Sequence, residues 1–283
     1  MSIKEPLFSV DEHKRLAALD SYAVLDTLPE KEYDAITRLA SYICQAPIAL
    51  ITLIDTERQW VKSRVGIEAD YIPRADSFCD HVILNDTIFE IQDASKNDTF
   101  KDNFQVIGEP FIKFYAGAPL IDPDGHRLGS LCVIDRVPRK LTEEQLDALR
   151  TLANEVMSHM VLRRQKRELE ASVEIHKEFY TLFNSSSEIH CIAAADSTIE
   201  LINDTVTDIL GYDRSDMVGH SLWDFVVNNK RDHYLPQIEK GIKGHESIEI
   251  ETQNITKDGD IKWISWCAMY KHGKCYTSGR DIS

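Results

Sequence analysis

The chain has 283 residues, 43% of them apolar, and a formal net charge of −15. That length suits about two domains with packed cores, and the surplus of carboxylates excludes a protein that neutralises nucleic-acid phosphates. No apolar run nears the roughly 20 residues of a bilayer-spanning helix, and the start, MSIKEPLFSVDEHK, lacks the apolar stretch of a signal peptide, so a cytoplasmic protein is expected.

Residues 1–15 are assigned to an N-terminal arm, with a helix opening within it at about Glu12 and running to Tyr22. A second helix, from about Glu30 to Cys44, carries Tyr33, Ile36, Leu39, Ala40 and Ile43 on one face. Ile48 to Ile54 and Gln59 to Val65 form the first hairpin, turning at Asp55, Thr56 and Glu57. A short helix is expected around Cys79 to Leu84 and a strand at Ile88 to Ile91. Asp93 to Gly108 reads as a polar excursion with a helical turn near Phe100, of the kind that often covers a pocket. Phe111 to Ile121 and Leu128 to Asp135 make a second hairpin around Asp122-Pro123-Asp124-Gly125. The order predicts an α+β layer structure, with helices on one face of an antiparallel sheet and the excursion closing a cavity on the other.

At Leu141 the pattern changes. Thr142 and Gln145 are spaced as a capping box, Leu141 and Leu146 as a hydrophobic staple, and no Gly or Pro follows until well past Phe183. Leu149, Leu152, Ala153, Val156 and Met160 recur at helical spacing. Leu162, Leu169, Val173 and Tyr180 then approach a seven-residue repeat diluted by Lys166 and His176, which predicts a weak coiled coil and a parallel homodimer. The charges at Arg163, Arg164, Lys166, Arg167, Glu168 and Glu170 equally suit a solvated connecting helix. Beyond it, strands are expected at Ile189 to Ala195, Thr198 to Ile202, Ser247 to Asn254, Ile261 to Tyr270 and Lys274 to Gly279. A helical turn over Asp204 to Leu210 and a mostly helical stretch from Ser221 to Gly244 pack to one side. Asp258-Gly259 and His272-Gly273 are the hairpin turns.

The segments LDSYAVLDTLPEKEYD, APIALITLIDTERQWVKSRVG, IPRADSFCDHVI and FYAGAPLIDPDGHRLGSLCVIDRVPRKL resemble GAF domains, found at the front of bacterial sensor kinases and cyclic-dinucleotide enzymes. LFNSSSEIHCIAAADSTIELINDTVTDILGYDRSDMVGHSLWDFV, TKDGDIKWISWCAMY and YTSGRDIS resemble a PAS domain. The expected organisation is a GAF-like domain over 16–160, a connecting signalling helix over 161–178 and a PAS-like domain over 179–283. The resemblance implies a sensory region of a two-component histidine kinase, with the effector module beginning where this sequence stops. It names no ligand, because the Asn-Lys-Phe-Asp-Glu pattern of cyclic-nucleotide GAF domains is missing and Asp80 separates Cys79 from His81, unlike the bilin-attaching Cys-His pair.

No catalytic residue is expected. His159 lacks the acidic neighbour and the Pro of a kinase phosphoacceptor box, and no Gly-rich nucleotide lid is present. The candidate GAF pocket comprises Trp60, Cys79, His81, Asp93, Tyr115 and Cys132, with Asp93 a loop cap or ligand contact and Arg74 orienting the loop. The candidate PAS pocket comprises Trp223, His233, Trp263 and Trp266, and haem on His233 is the cofactor option there. The six cysteines, Cys44, Cys79, Cys132, Cys191, Cys267 and Cys275, form no CxxC pair and are expected reduced, without disulfides or zinc. Two other readings stand beside the sensor. One is a thiol enzyme reducing free methionine sulfoxide, in which Cys79 lacks an obvious resolving partner, and the other is a dimerising scaffold with filled pockets.

Overall fold

A computed structural model describes residues 11–227, 232–234, 236–238 and 247–283. Its contacts divide the chain into two units, Met1–Glu170 and Ala171–Ser283. Both are α+β, each built on one antiparallel sheet.

In the first unit, helices α1 (Glu12–Tyr22) and α2 (Lys31–Cys44) precede β1 (Ile48–Ile54) and β2 (Arg58–Val65). The short β3 (Tyr71–Pro73), α3 (Cys79–Val82), β4 (Phe89–Ile91) and α4 (Phe104–Ile107) form the excursion, and β5 (Phe114–Ile121) with β6 (Arg127–Asp135) closes the sheet in the order β3-β2-β1-β6-β5-β4. Strand β1 is buried throughout, and apolar but for Thr52, because it is central and covered on both faces. Ala49, Ile51 and Leu53 face α1 and α2, whereas Ile48, Leu50 and Ile54 face the excursion.

Two details differ from the sequence reading. The second hairpin begins at Phe114, because Phe111 adopts a left-handed φ of 59° that an extended strand does not allow. The excursion's helical turns are a 3-10 turn at Ala94–Lys96 and α4, the latter capped by the Asn103 side chain on the Gln105 N–H, with Phe100 in a hydrogen-bonded turn between them. Helix α1 opens at Glu12, where the sequence reading placed it. It is held there by an ionic contact rather than an apolar stripe: the buried Arg74 guanidinium reaches Glu12 Oε1 (2.6 Å) and Asp80 Oδ1 (2.7 Å), and Arg15 holds the same Glu12 carboxylate at 2.7 Å.

Helix α5 (Glu143–Asn184) starts as the capping box requires. The Thr142 N–H donates to Gln145 Oε1 (3.0 Å) and the Gln145 N–H to Thr142 Oγ1 (3.3 Å), while Leu141 and Leu146 pack into the core shared by α1 and α2. Leu149, Ala153, Val156 and Met160 continue that face. Arg163 and Arg167 are not simply solvated. Arg163 donates to the Tyr22 and Ala23 carbonyls at 3.2 and 2.8 Å, Arg167 reaches the Tyr22 carbonyl at 3.4 Å, and the Arg164 guanidinium lies 4.5 Å from the Tyr22 ring centre. Cations thus satisfy the carbonyl end of α1, where the helix dipole favours them.

The second unit contains β7 (Ile189–Ala194), β8 (Ile199–Ile202), α6 (Thr205–Leu210), α7 (Arg214–Met217), β9 (Ile248–Ile255), β10 (Ile261–Lys271) and β11 (Lys274–Asp281). The sheet order is β8-β7-β11-β10-β9. The β10–β11 turn places His272 and Gly273 at φ 52° and 76°, the paired positive angles of a two-residue hairpin. Asn203, fully buried, donates to the Phe183 and Glu188 carbonyls and accepts from the His190 N–H, fastening the end of α5 to this sheet. Of the stretch from Ser221 to Gly244, Leu222–Phe225 is a 3-10 turn and residues 232–234 and 236–238 are helical; 228–231, 235 and 239–246 lie outside the described residues, as do 1–10 of the arm.

Candidate functional site

In the first unit the excursion presses α3 onto β1, β5 and β6, which brings together Cys79, Tyr115 and Cys132, each at most 1% exposed. Cys79 Sγ lies 3.1 Å from Tyr115 Oη and accepts from Thr52 Oγ1 at 3.4 Å. Burial alone would raise the Cys79 thiol, but hydrogen bonds from Cys132, Ser130, Thr52 and Tyr115 outweigh it and bring it down to about 6. Cys132 is pushed up, first by its hydrogen bond to Cys79 and then by burial. Phe78 stacks on Phe100 and Tyr115 at centroid distances of 4.3 and 5.1 Å, roofing the cluster with packed rings. His81 stands at its edge, its ring 4.7 Å from that of Phe100.

Trp60 and Asp93 do not join this group. Trp60 faces the core beneath the helices, on the other side of the sheet, and Lys62 Nζ lies 5.9 Å from its ring. Asp93 turns back on its own loop, accepting from the Ser95 N–H and hydroxyl at 3.2 and 2.6 Å, and pairs with Lys96. Asp93 is therefore a cap. Cys132, which the sequence reading put in the same pocket without pairing the two thiols, stands beside Cys79.

The second unit holds an apolar cavity of about 70 Å³ between the sheet and the segment around Trp223. Trp223 and Trp266 line it; His233 and Trp263 do not. Trp263 is 44% exposed, because it lies an odd number of positions from Trp266 and so projects from the opposite face of β10. His233 is exposed, its ring packed edge-on to Tyr234 at 5.0 Å. The indole of Trp266 lies across Gly279, where a Cβ would stand 2.5 Å from it, and donates to Thr252 Oγ1 at 2.9 Å. Sequence reasoning missed Thr252, Asn254 and Thr277 in the wall. The signal was available: Ile248, Ile250, Thr252 and Asn254 are every second residue of β9, and Cys275 and Thr277 alternate in the same way on β11.

Two sheets, each closed on one face by short helical segments and served by one through-running helix, are the build of paired sensory modules. Residues 28–160 match the GAF domain family and residues 187–283 a PAS domain family, so the chain carries a GAF domain followed by a PAS domain. It is 42% identical over 156 residues to the cyclic di-GMP phosphodiesterase PA2567 of Pseudomonas aeruginosa, a match that takes in 55% of this chain and 27% of that protein's length. The second unit is similar in fold to the PAS domain of an HTR-like protein from Haloarcula marismortui (23% identity, 41% of this chain, 99% of that one, TM-score 0.36). It is likewise similar to a domain of a sensory box sensor histidine kinase/response regulator from Geobacter sulfurreducens (20% identity, 38% and 93%, TM-score 0.33). Among the described residues no helix is long and apolar enough to cross a membrane.

Proposed function

We propose that this chain is the cytoplasmic sensory and signal-transmitting region of a bacterial signalling protein, a two-component histidine kinase whose catalytic part lies elsewhere. One observation carries this reading: α5 runs without a break from the GAF core, which it joins through Leu149 to Met160, to the PAS domain, where the buried Asn203 side chain holds the Phe183 carbonyl. The middle of that helix is unpartnered along a seam, where Leu162, Leu169 and Val173 are 61%, 65% and 56% exposed. A second copy laid parallel along the seam would cover it, and a small molecule in the PAS cavity that favours one arrangement of the pair would bias the output. Sedimentation of the wild type and Leu169→Glu at matched concentrations tests this. The wild type is expected to dimerise and the variant, with like charges at the seam, to move towards monomer; a monomeric wild type or an unaffected variant overturns the transmission model.

The 42% identity to a cyclic di-GMP phosphodiesterase favours, as a second reading, a cyclic-dinucleotide enzyme as the output module. The Cys79–Cys132 pair supports a methionine sulfoxide reductase in chemistry, but both thiols lie under the aromatic roof. Free methionine sulfoxide with a thiol reductant is therefore expected to give no turnover, and a rate lost in Cys79→Ser would reinstate that reading.

A further inference from the structure

Cys79 opens α3, Cys132 lies on β6, and both belong to one buried cluster in which their thiols hydrogen-bond to each other. Hydroxyls from three strands surround Cys79: Tyr115 Oη at 3.1 Å, Thr52 Oγ1 at 3.4 Å, and Ser130, whose own hydroxyl lies 3.2 Å from that of Thr52. Such a ring of donors favours the thiolate, the form in which sulfur is a nucleophile. Cys132, pushed up, keeps its proton. One sulfur is thus prepared to attack, and a second stands beside it to resolve the product.

The second unit supplies a contrast. Cys191 on β7 and Cys275 on β11 are also buried, but the register sets Cys191 opposite Thr277 and Cys275 opposite Ala193. Diagonal neighbours of this kind stand about 7–8 Å apart, too far to be bridged without backbone movement. Burial pushes both thiols up, Cys191 to about 12.

Phe78 and Phe100 cover the Cys79–Cys132 pair, and that cover rests on short pieces, the four-residue α3 and α4 and the turns between them. Such segments open locally more readily than the sheet beneath them. An opening that admits a molecule of two oxygen atoms is far smaller than one that admits an amino acid or a peptide disulfide.

We propose that Cys79 and Cys132 form a peroxide-sensitive pair that closes to a reversible intramolecular disulfide, tying α3 to β6. The Cys79 thiolate attacks one oxygen of hydrogen peroxide; the O–O bond breaks, the other oxygen leaves as hydroxide and takes up a proton as water, and Cys79 becomes a sulfenic acid. The Cys132 sulfur then attacks the Cys79 sulfur. The S–S bond forms, the S–O bond breaks, and the departing hydroxide takes the Cys132 proton as a second water. Two thiols lose two electrons and one peroxide is reduced to two waters. The new bond would hold α3 in place, and with it Asp80, which pairs with Arg74 and so with Glu12 of α1.

The full chain carrying Cys267→Ser, which removes the exposed thiol, is the protein to test. A small excess of hydrogen peroxide, followed by alkylation in denaturant and non-reducing peptide mapping, is expected to give a Cys79–Cys132 cross-link that dithiothreitol reverses, with Cys44, Cys191 and Cys275 still alkylated. Oxidised glutathione is expected to leave both thiols free. Amides of α3 should exchange about tenfold more slowly in the oxidised protein than in the reduced one. With Cys132→Ser added, dimedone is expected to label Cys79 after peroxide treatment.

Peroxide-treated protein that keeps both thiols, or that links Cys191 to Cys275 instead, overturns the proposal. A mixed disulfide of Cys79 with glutathione overturns its restriction to small oxidants, and unchanged exchange in α3 overturns the tie to the excursion. A folded Cys132→Ser protein that dimedone does not label overturns Cys79 as the attacking sulfur. Mapping and exchange need no substitution at the buried thiols, so they decide the matter if Cys132→Ser fails to fold.

Discussion

Arg74 shows how much of the first unit depends on one side chain. It is 1% exposed, and its guanidinium serves Glu12 and Asp80 together with the Asp55 carbonyl. Arg74→Ala leaves two carboxylates inside without their shared cation, so a loss on the order of 3–5 kcal/mol is expected in urea unfolding of the GAF transition. Glu12 gives this cluster a pH signature. Burial alone would raise its carboxyl, but hydrogen bonds from Arg15 and Arg74, with their charges, hold it at about 2. Its folded value is depressed below the ordinary 4.5, so its contribution is fully present above pH 4.5 and is lost as the pH falls towards 2. With its partial exposure allowed for, that contribution is on the order of 2 kcal/mol. Thermal unfolding at pH 5 and pH 3 is expected to show a smaller difference for Glu12→Gln than for the wild type. The sequence marked Arg74 as a loop-orienting residue but not its pairing with Glu12, because no local pattern links residues 62 positions apart.

At the scale of elements, the capping box at Thr142 and the alternation in β9 were legible because their partners lie within a few residues or follow a fixed period. The same parity separates Trp263 from Trp266, so grouping both in one pocket was an error that the sequence itself could correct. The grip of α5 on α1 was less accessible. Arg163 and Arg167 share a helix face by spacing, but their acceptors are backbone carbonyls, which carry no side-chain signal. Arg163→Ala removes two of these contacts and should cost about 1 kcal/mol. Faster amide hydrogen exchange confined to the last turn of α1 is the expected readout; a uniform change across the unit would mean that the contact is not local.

Across the whole molecule, the sequence conveyed the two α+β modules and the helix shared by both, since these depend on periodicity and turn chemistry. It grouped Cys79, Tyr115 and Cys132 but did not convey the direct pairing of the two thiols, which only the tertiary fold makes, and the apolar cavity depends on how Trp266 is turned. His159 lies 3.3 Å from Glu155 and packs edge-on to Tyr33, and it is not expected to serve as a phosphoacceptor. Incubation with labelled ATP should leave it unlabelled, and label that disappears in His159→Gln would contradict that expectation.

The grip of Arg163 and Arg167 on α1 also determines where such a protein can be recombined. Every residue of α5 up to Arg167 with a buried or bonded role serves the first unit, and Phe183 already serves the second. A chimera that exchanges sensory modules must therefore join within the exposed stretch between them. A splice upstream of Arg167 would deprive the incoming module's partner helix of its cationic cap. A splice inside the stretch that adds or removes whole heptads would keep the spacing of Leu162, Leu169 and Val173, whereas one of a few residues would rotate everything downstream about the helix axis.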